Sequence, residues 1–196
     1  MKQLPESIKI CGIIYSIVRG TREGYNSGSD IMKQEIFISD ELPFPKQLQR
    51  LSHELAYRLL NATGLKEAAV NRTYIAFGNI LYRFIRDNDF TFIRNRTYDL
   101  PIMLWVAGLP YTKTEDHKEY MEAKSLGGEV CYDQLSIRLD PDLEPEIKTV
   151  VYLHEAAHAM LYEAATNLES REDIVEPLSW SLFQFFRDND LEFTKY

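Results

Sequence analysis

The chain has few of the residues that build disulfide frameworks, secretory signals or membrane spans. Two cysteines, Cys11 and Cys131, occur among 196 residues. They form no Cys-x-x-C pair, so they supply no disulfide framework and are typical of a reducing compartment. The first apolar run, residues 8–18, is short and interrupted by polar residues and glycine, which argues against a secretory signal. No run of about 18 or more apolar residues follows. We therefore expect a cytoplasmic protein with no membrane partner.

The composition is otherwise that of a globular protein, but the charge is unevenly distributed. Hydrophobic residues make up 45 % of the chain and charged residues 27 %, a balance that supports a packed core. Residues 1–98 hold 14 Lys/Arg and 10 Asp/Glu, a net charge of +4, whereas residues 99–196 hold 8 and 20, a net charge of −12. A basic half is compatible with a nucleic-acid partner, but no helix-turn-helix is visible. We interpret the asymmetry as attraction between the two halves and do not expect nucleic acid to bind.

An internal repeat organises the chain. The segment Phe84–Phe90 recurs 101 residues later as Phe185–Leu191. Blocks further upstream match at an offset of 96, so five extra residues fall in the loop Lys113–Gly128. Several matched blocks in the same order indicate a duplication. We predict two units, residues 1–95 and residues 96–196, that form a pseudo-dimer within one chain.

Both units have the same predicted order of elements, β-β-α-α, with space for one more strand in the first loop. Alternating apolar residues predict the strands, proline-containing loops end them, and two long helices follow. The predicted fold class is α+β, and each unit is a small antiparallel sheet packed on two helices. The predicted strands are Ser7–Val18 and residues 35–38 in the first unit, and Ile102–Tyr111 and residues 135–139 in the second. The predicted helices are Pro45–Thr63, Glu67–Asp87, Pro145–Thr166 and Arg171–Asp188.

The second unit contains the motif His154-Glu155-Ala156-Ala157-His158 inside an apolar, helix-forming run. Histidines four residues apart lie on the same face of a helix, one turn from each other. Both imidazoles can then reach one zinc ion at about 2.0–2.1 Å. Glu155 can lean over the same face and act as general base on water, as this motif does in metalloproteases. We predict a Zn²⁺ cofactor with His154 and His158 as ligands and Glu155 as the catalytic residue.

A catalytic zinc site needs a third protein ligand and an open position. No histidine follows His158, so we expect a carboxylate. Glu163 points off the histidine face, whereas Glu172 and Glu176 lie four apart on the next predicted helix, which can pack antiparallel to the first. Glu176 precedes the apolar stretch of that helix, so we select it as the third ligand, with Glu172 as the alternative. The downstream candidates in full are Glu163, Glu169, Glu172, Asp173 and Glu176.

The first unit lacks this set of residues. It retains His53 and Glu54 at the equivalent positions, but Tyr57 replaces the second histidine. Ile75 replaces the selected third ligand, and Asn71 replaces its alternative. An apolar residue is expected where a buried position no longer has a charge to hold. We interpret the first unit as a degenerate, non-catalytic copy.

The second unit resembles phage and bacterial metallopeptidase-like proteins of the ImmA/IrrE type. The resemblance is carried by Asp133–Leu139, Leu153–Met160 and Val175–Ser179. It implies a minimal zincin-like fold, with zinc ligands His154, His158 and Glu176 and general base Glu155. The implied activity is limited proteolysis of a regulatory protein, so the implied partner is a protein or peptide substrate. The first unit is then a diverged duplicate.

Two functions are compatible with these observations. The first is a zinc-dependent peptidase. The second is a non-catalytic scaffold or interaction protein in which any zinc is structural. Tyr111, Tyr132 and Tyr152 are candidates for stabilising an oxyanion. In a chain with 12 tyrosines we interpret them as packing residues.

Overall fold

Each repeat folds as four strands followed by two long helices. The computed structural model describes residues 3–115 and 127–195, so residues 116–126 of the loop Lys113–Gly128 lie outside the described part. The first repeat contains β1 (Ser7–Ile10), β2 (Ile13–Gly20), β3 (Ser27–Asp30), β4 (Glu35–Ser39), α1 (Phe44–Ala62) and α2 (Glu67–Asp87). After the short helix α3 (Thr91–Arg94), the second contains β5 (Met103–Val106), β6 (Leu109–Glu115), β7 (Gly128–Cys131), β8 (Ser136–Leu139), α4 (Pro145–Glu163) and α5 (Glu172–Asp188). The predicted α+β class is confirmed, and the element order is compatible with two repeated units.

The two sheets are mixed, which corrects the prediction of antiparallel sheets in β-β-α-α units. Their strand orders are β1-β2-β4-β3 and β5-β6-β8-β7. The outer strands pair antiparallel with their neighbours. The two central strands of each sheet run parallel: β2 pairs with β4, with Ser16 opposite Glu35, and β6 pairs with β8. The third strand of each repeat causes this arrangement. Because the chain reverses from β2 to β3 and again from β3 to β4, β4 returns in the original direction and pairs with β2.

The segment predicted as one strand, Ser7–Val18, is a hairpin of β1 and β2. Cys11 and Gly12 both have positive φ angles, 48° and 82°, as the two central residues of a type I′ turn require. Ala107 and Gly108 form the same turn in the second repeat, with φ angles of 56° and 89°. The predicted strand Ile102–Tyr111 is therefore also two strands, β5 and β6.

Helix α4 is buried on most sides, because it packs against α2, α5 and three strands of its own sheet. The buried side chains of both repeats join in one hydrophobic cluster, in which Phe90 stacks on Phe186 with ring centroids 3.8 Å apart. Glu155 and His158 are buried in this largely apolar helix. Burying such groups is costly unless they have partners, so their surroundings indicate what they do. No helix in the described part of the chain is both long and apolar enough to cross a membrane.

Reciprocal asparagine contacts join the two repeats. Asn189 follows α5; its Nδ2 donates to the carbonyl of Lys9 in β1, and its Oδ1 accepts from the Lys9 N–H, both at 2.8 Å. Asn88 follows α2 and makes the same pair of bonds to Trp105 in β5, at 2.7 and 2.8 Å. Each repeat therefore holds the outer strand of the other with the same side chain. This is the pattern of contacts between the subunits of a two-fold dimer.

Candidate metal centre

The two histidines of α4 meet at the floor of a cleft bounded by α4, α5 and β7. Their Nε2 atoms lie 2.9 Å apart. His158 donates from Nδ1 to the backbone carbonyl of Glu169. Because a carbonyl only accepts, Nδ1 carries a proton, which leaves Nε2 as the ring nitrogen that can offer a lone pair to a ligand. Burial and the neighbouring His158 lower the pKa of His154, against the opposing effect of nearby carboxylates, so burial favours the neutral form of His154.

Glu172, the first residue of α5, faces both histidines. Its Oε2 lies 3.2 Å from Nε2 of His154, and its Oε1 lies 3.4 Å from Nε2 of His158. Among the described residues, these three side chains form a group whose ligand atoms all lie within 4.8 Å of one another. Ligand atoms around a tetrahedral zinc with bonds of about 2.0–2.1 Å lie roughly 3.4 Å apart. The donor set and its spacing therefore fit a zinc ion with one coordination position left open.

Glu176, the ligand selected from the sequence, lies outside this group. It lines the same cleft one turn further along α5, and its charge acts on His154. The structure thus brings the alternative, Glu172 at the N-terminal end of α5, to the histidines.

The remaining candidates have other surroundings. Glu163 accepts from the hydroxyl of Tyr111 at 3.2 Å, away from the cleft, and Asp173 pairs with Arg171. Glu169 lines the cleft, and its Oε2 is buried without a hydrogen-bond partner in the described residues.

Glu155 is held beside the histidines by strand β7. It is 6 % exposed, and its carboxylate accepts a hydrogen bond from the backbone N–H of Val130. Burial outweighs this bond and raises the pKa of Glu155 to about 8. Gly128 permits the close approach of β7, because a Cβ there would lie only 2.9 Å from Oε1 of Glu155. The same Cβ would lie 2.7 Å from Cγ1 of Val151. Contacts with β7 therefore fix the position of the Glu155 carboxylate.

Tyr132 is the residue of the cleft that the sequence analysis considered as an oxyanion donor and then interpreted as a packing residue. It lines the cleft, which has a volume of about 820 Å³, and its ring stacks on Tyr162 with centroids 4.2 Å apart. Burial, aided by nearby carboxylates, raises the pKa of Tyr132 to about 12, so its hydroxyl stays protonated and can donate. Tyr111 and Tyr152 are fully buried in the core and do not line this cleft. The sequence signal for Tyr132 was a difference between the repeats, because Ile31 occupies the equivalent position of the first repeat.

In the described part of the first repeat, the equivalent residues pack against each other and form no comparable group of ligand atoms. His53 donates from Nε2 to Oδ1 of Asn79 at 2.9 Å, so the nitrogen that would bind a metal carries a proton. Gly78 lets α2 approach so closely that a Cβ there would lie 2.8 Å from Cδ2 of His53. Ser27, opposite Gly128, donates to Glu54 at 2.8 Å. This packing supports the interpretation of the first repeat as degenerate.

Comparison with known proteins identifies no relative of this chain. No family model, no curated protein and no solved structure matches it. The resemblance to ImmA/IrrE proteins therefore stays a hypothesis that rests on the motif residues, and the candidate site rests on its own geometry.

Proposed function

We propose that the second repeat is a zinc-dependent peptidase that cleaves a protein or peptide substrate with Glu155 as general base. The observation that carries the proposal is the convergence of His154, His158 and Glu172 on one point, with Glu155 buried beside them. Two imidazoles and a carboxylate are a known ligand set of catalytic zinc and leave a position for water or substrate. The resemblance to ImmA/IrrE proteins agrees with this proposal and adds limited proteolysis of a regulatory protein as the expected activity.

The residues around the site have distinct roles in this hydrolysis. Zinc, when bound, would polarise the scissile carbonyl and make water a stronger nucleophile at neutral pH. Glu155 in its ionised form accepts the proton of the attacking water and passes it to the leaving amine. The N–H of Val130 orients the Glu155 carboxylate, and the carbonyl of Glu169 orients His158. Tyr132 is placed to donate to the oxygen that gains charge in the transition state.

Strand β7 supports a peptide as the substrate. In the described part of the sheet it is an outer strand, and it lines the cleft next to Glu155. An extended peptide can add to such an edge through backbone hydrogen bonds. Its carbonyl groups would then pass over the histidines.

Metal analysis and one conservative substitution test the proposal. Full-length protein purified without added zinc should retain a single zinc per chain, and His158→Tyr, which introduces the first repeat's residue, should remove it. Glu155→Gln should keep the zinc and lower turnover of an unstructured protein substrate by about 10²–10⁴-fold. Turnover by Glu155→Gln at the wild-type rate would show that Glu155 is not the general base.

The third ligand is tested separately. Glu172→Gln should weaken zinc binding more than Glu176→Gln, because Glu172 lies within reach of both histidines. The two variants differ by one helical turn on α5, so each is the matched control of the other. A larger loss of zinc affinity with Glu176→Gln would restore the ligand that the sequence favoured.

A non-catalytic scaffold is the second candidate function. The first repeat favours it, because that repeat keeps the fold while its histidine and glutamate form hydrogen bonds with Asn79 and Ser27. A protein that binds zinc with all positions occupied by protein ligands, or binds none, and cleaves no substrate would support the scaffold.

A further inference from the structure

One wall of the cleft is apolar. It consists of Ile147, Val150 and Val151 from α4 and Trp180 from α5, which together we call the apolar wall. Ile147 is 45 % exposed and Trp180 is 43 % exposed, although both are large hydrophobic side chains. Exposed apolar residues that are scattered singly need no explanation, but apolar side chains that line one cleft with a candidate catalytic residue indicate a binding surface.

The first repeat shows that the fold does not require an apolar wall. At the offset of 101 it has Lys46, Gln49, Arg50 and Asn79 in place of the four residues. Three of these polar side chains are joined by hydrogen bonds, from Lys46 to Gln49 at 3.1 Å and from Gln49 to Asn79 at 2.8 Å. The same helix pair therefore packs with hydrophilic residues at every one of these positions. The apolar residues of the second repeat need a reason other than folding.

The apolar wall lies directly beside the candidate catalytic groups. Strand β7 lies beside α4 along the cleft, where Gly128 lies against Val151 and the N–H of Val130 reaches Glu155. Just after β7, the ring of Tyr132 stacks on that of Tyr162 in α4. Val150 and Val151 are one turn before His154 and Glu155 on the same helix. A peptide lying along β7 would thus place one side chain against this wall when its neighbouring carbonyl lies over the histidines.

We propose that the apolar wall is a side-chain subsite, and that the substrate is an extended peptide with a bulky apolar residue next to the scissile bond. This inference rests on the proposed peptidase function for the meaning of the scissile bond. Its physical basis is independent, because removing the apolar surface of the peptide side chain and of Trp180 from water favours binding whether or not cleavage follows. Hydrophobic subsites of this kind discriminate between side chains by about 10–200-fold.

Peptide binding without catalysis tests the subsite. The probes are fluorescent Ser/Gly octapeptides with a single central Phe, Leu, Ala or Lys, and fluorescence anisotropy measures their binding to full-length Glu155→Gln protein without added metal. The Phe and Leu peptides should bind at least about tenfold more tightly than the Ala and Lys peptides. Ile147→Lys and Trp180→Asn, which introduce first-repeat residues, should abolish that difference. Ile102→Lys is the matched control. Ile102 is 73 % exposed and directly precedes β5, which lies at the other edge of the sheet from β7, so this variant should keep the difference in affinity between the peptides.

Cleavage-site mapping provides the second readout. Zinc-loaded wild-type protein acting on a mixed peptide library should cut next to apolar residues, as product mass spectrometry would show.

Equal binding of the four octapeptides, or a preference that survives in both wall variants, would overturn the subsite. Cleavage without side-chain preference would overturn it while leaving the peptidase standing. Selective binding with no cleavage of any peptide would support the subsite and count against the peptidase. Ile147→Lys changes a rim residue, so circular dichroism should confirm that this variant is folded.

Discussion

Replacing Gly128 with alanine tests the contact that positions Glu155. The new Cβ would lie 2.7 Å from Cγ1 of Val151 and 3.0 Å from Cγ of Glu155, both well inside normal contact distance. Val151 is β-branched and stiff, and Glu155 is buried, so neither side chain can simply rotate away. Strand β7 must therefore move off α4. Overpacking of this kind costs about 1–3 kcal/mol, which corresponds to a fall in Tm of roughly 2–12 °C for a chain of this size.

The neighbouring glycine supplies a matched control. A Cβ at Gly127 would lie 3.4 Å from Val151 and 3.6 Å from Leu143, which is close to ordinary contact. Urea denaturation should show Gly128→Ala destabilised and Gly127→Ala nearly unchanged. Turnover should fall in Gly128→Ala by more than zinc affinity does, because β7 contacts Glu155, the proposed general base. Equal stability of the two alanine variants, or full turnover by Gly128→Ala, would refute the role given to this contact.

Three further predictions concern the interface, the first repeat and the cleft. Asn189→Ala removes both hydrogen bonds to the backbone of Lys9 and should lower the free energy of unfolding in urea by about 1–3 kcal/mol, whereas no change would mean that water replaces them. Burial lowers the pKa of His53 below 6.5, so the unfolded chain takes up a proton that the folded chain resists, and stability should fall as the pH drops below that value. His53→Gln should make this decline shallower between about pH 7 and pH 5, and an unchanged slope would assign the effect to other groups. Tyr132→Phe should lower kcat by about 10²-fold with normal zinc content, and an unchanged kcat would leave the residue with a packing role.

The helices could be predicted from the sequence more accurately than the sheets. Helix α2 spans Glu67–Asp87, the predicted bounds, because its amphipathic pattern is long. The apolar pattern of residues 7–18 passes through the turn at Cys11 and Gly12 with little interruption, so two strands resembled one. Strand β3 has the sequence Ser-Gly-Ser-Asp and carries no apolar residue at all, so periodicity could not place it. The sequence left space for one more strand in this loop, but the parallel pairing that depends on that strand was not predicted.

The site was predictable where one helix determines the geometry. The spacing of His154 and His158 within α4 fixes their Nε2 atoms within reach of one ion. Which carboxylate lies nearest the two histidines depends on where α5 begins relative to α4, which the intervening loop decides. Glu172 and Glu176 share one face of α5, so helical periodicity does not separate them. The contribution of Gly128 likewise appears only when β7 and α4 are seen in contact.

The two hydrogen bonds between Lys9 and Asn189 have a consequence for the protein during its synthesis. The two residues are 180 residues apart in the chain, and an ion pair from Lys9 to Asp188 at 2.9 Å lies beside these bonds. At a synthesis rate of about 5–20 residues per second, β1 leaves the ribosome roughly 9–36 s before its partner. Until Asn189 arrives, the backbone N–H and carbonyl of Lys9 at the outer edge of the first sheet lack these partners, and unpaired edge groups of this kind invite aggregation. A product truncated before Asn189 would therefore expose backbone groups that the longer chain covers.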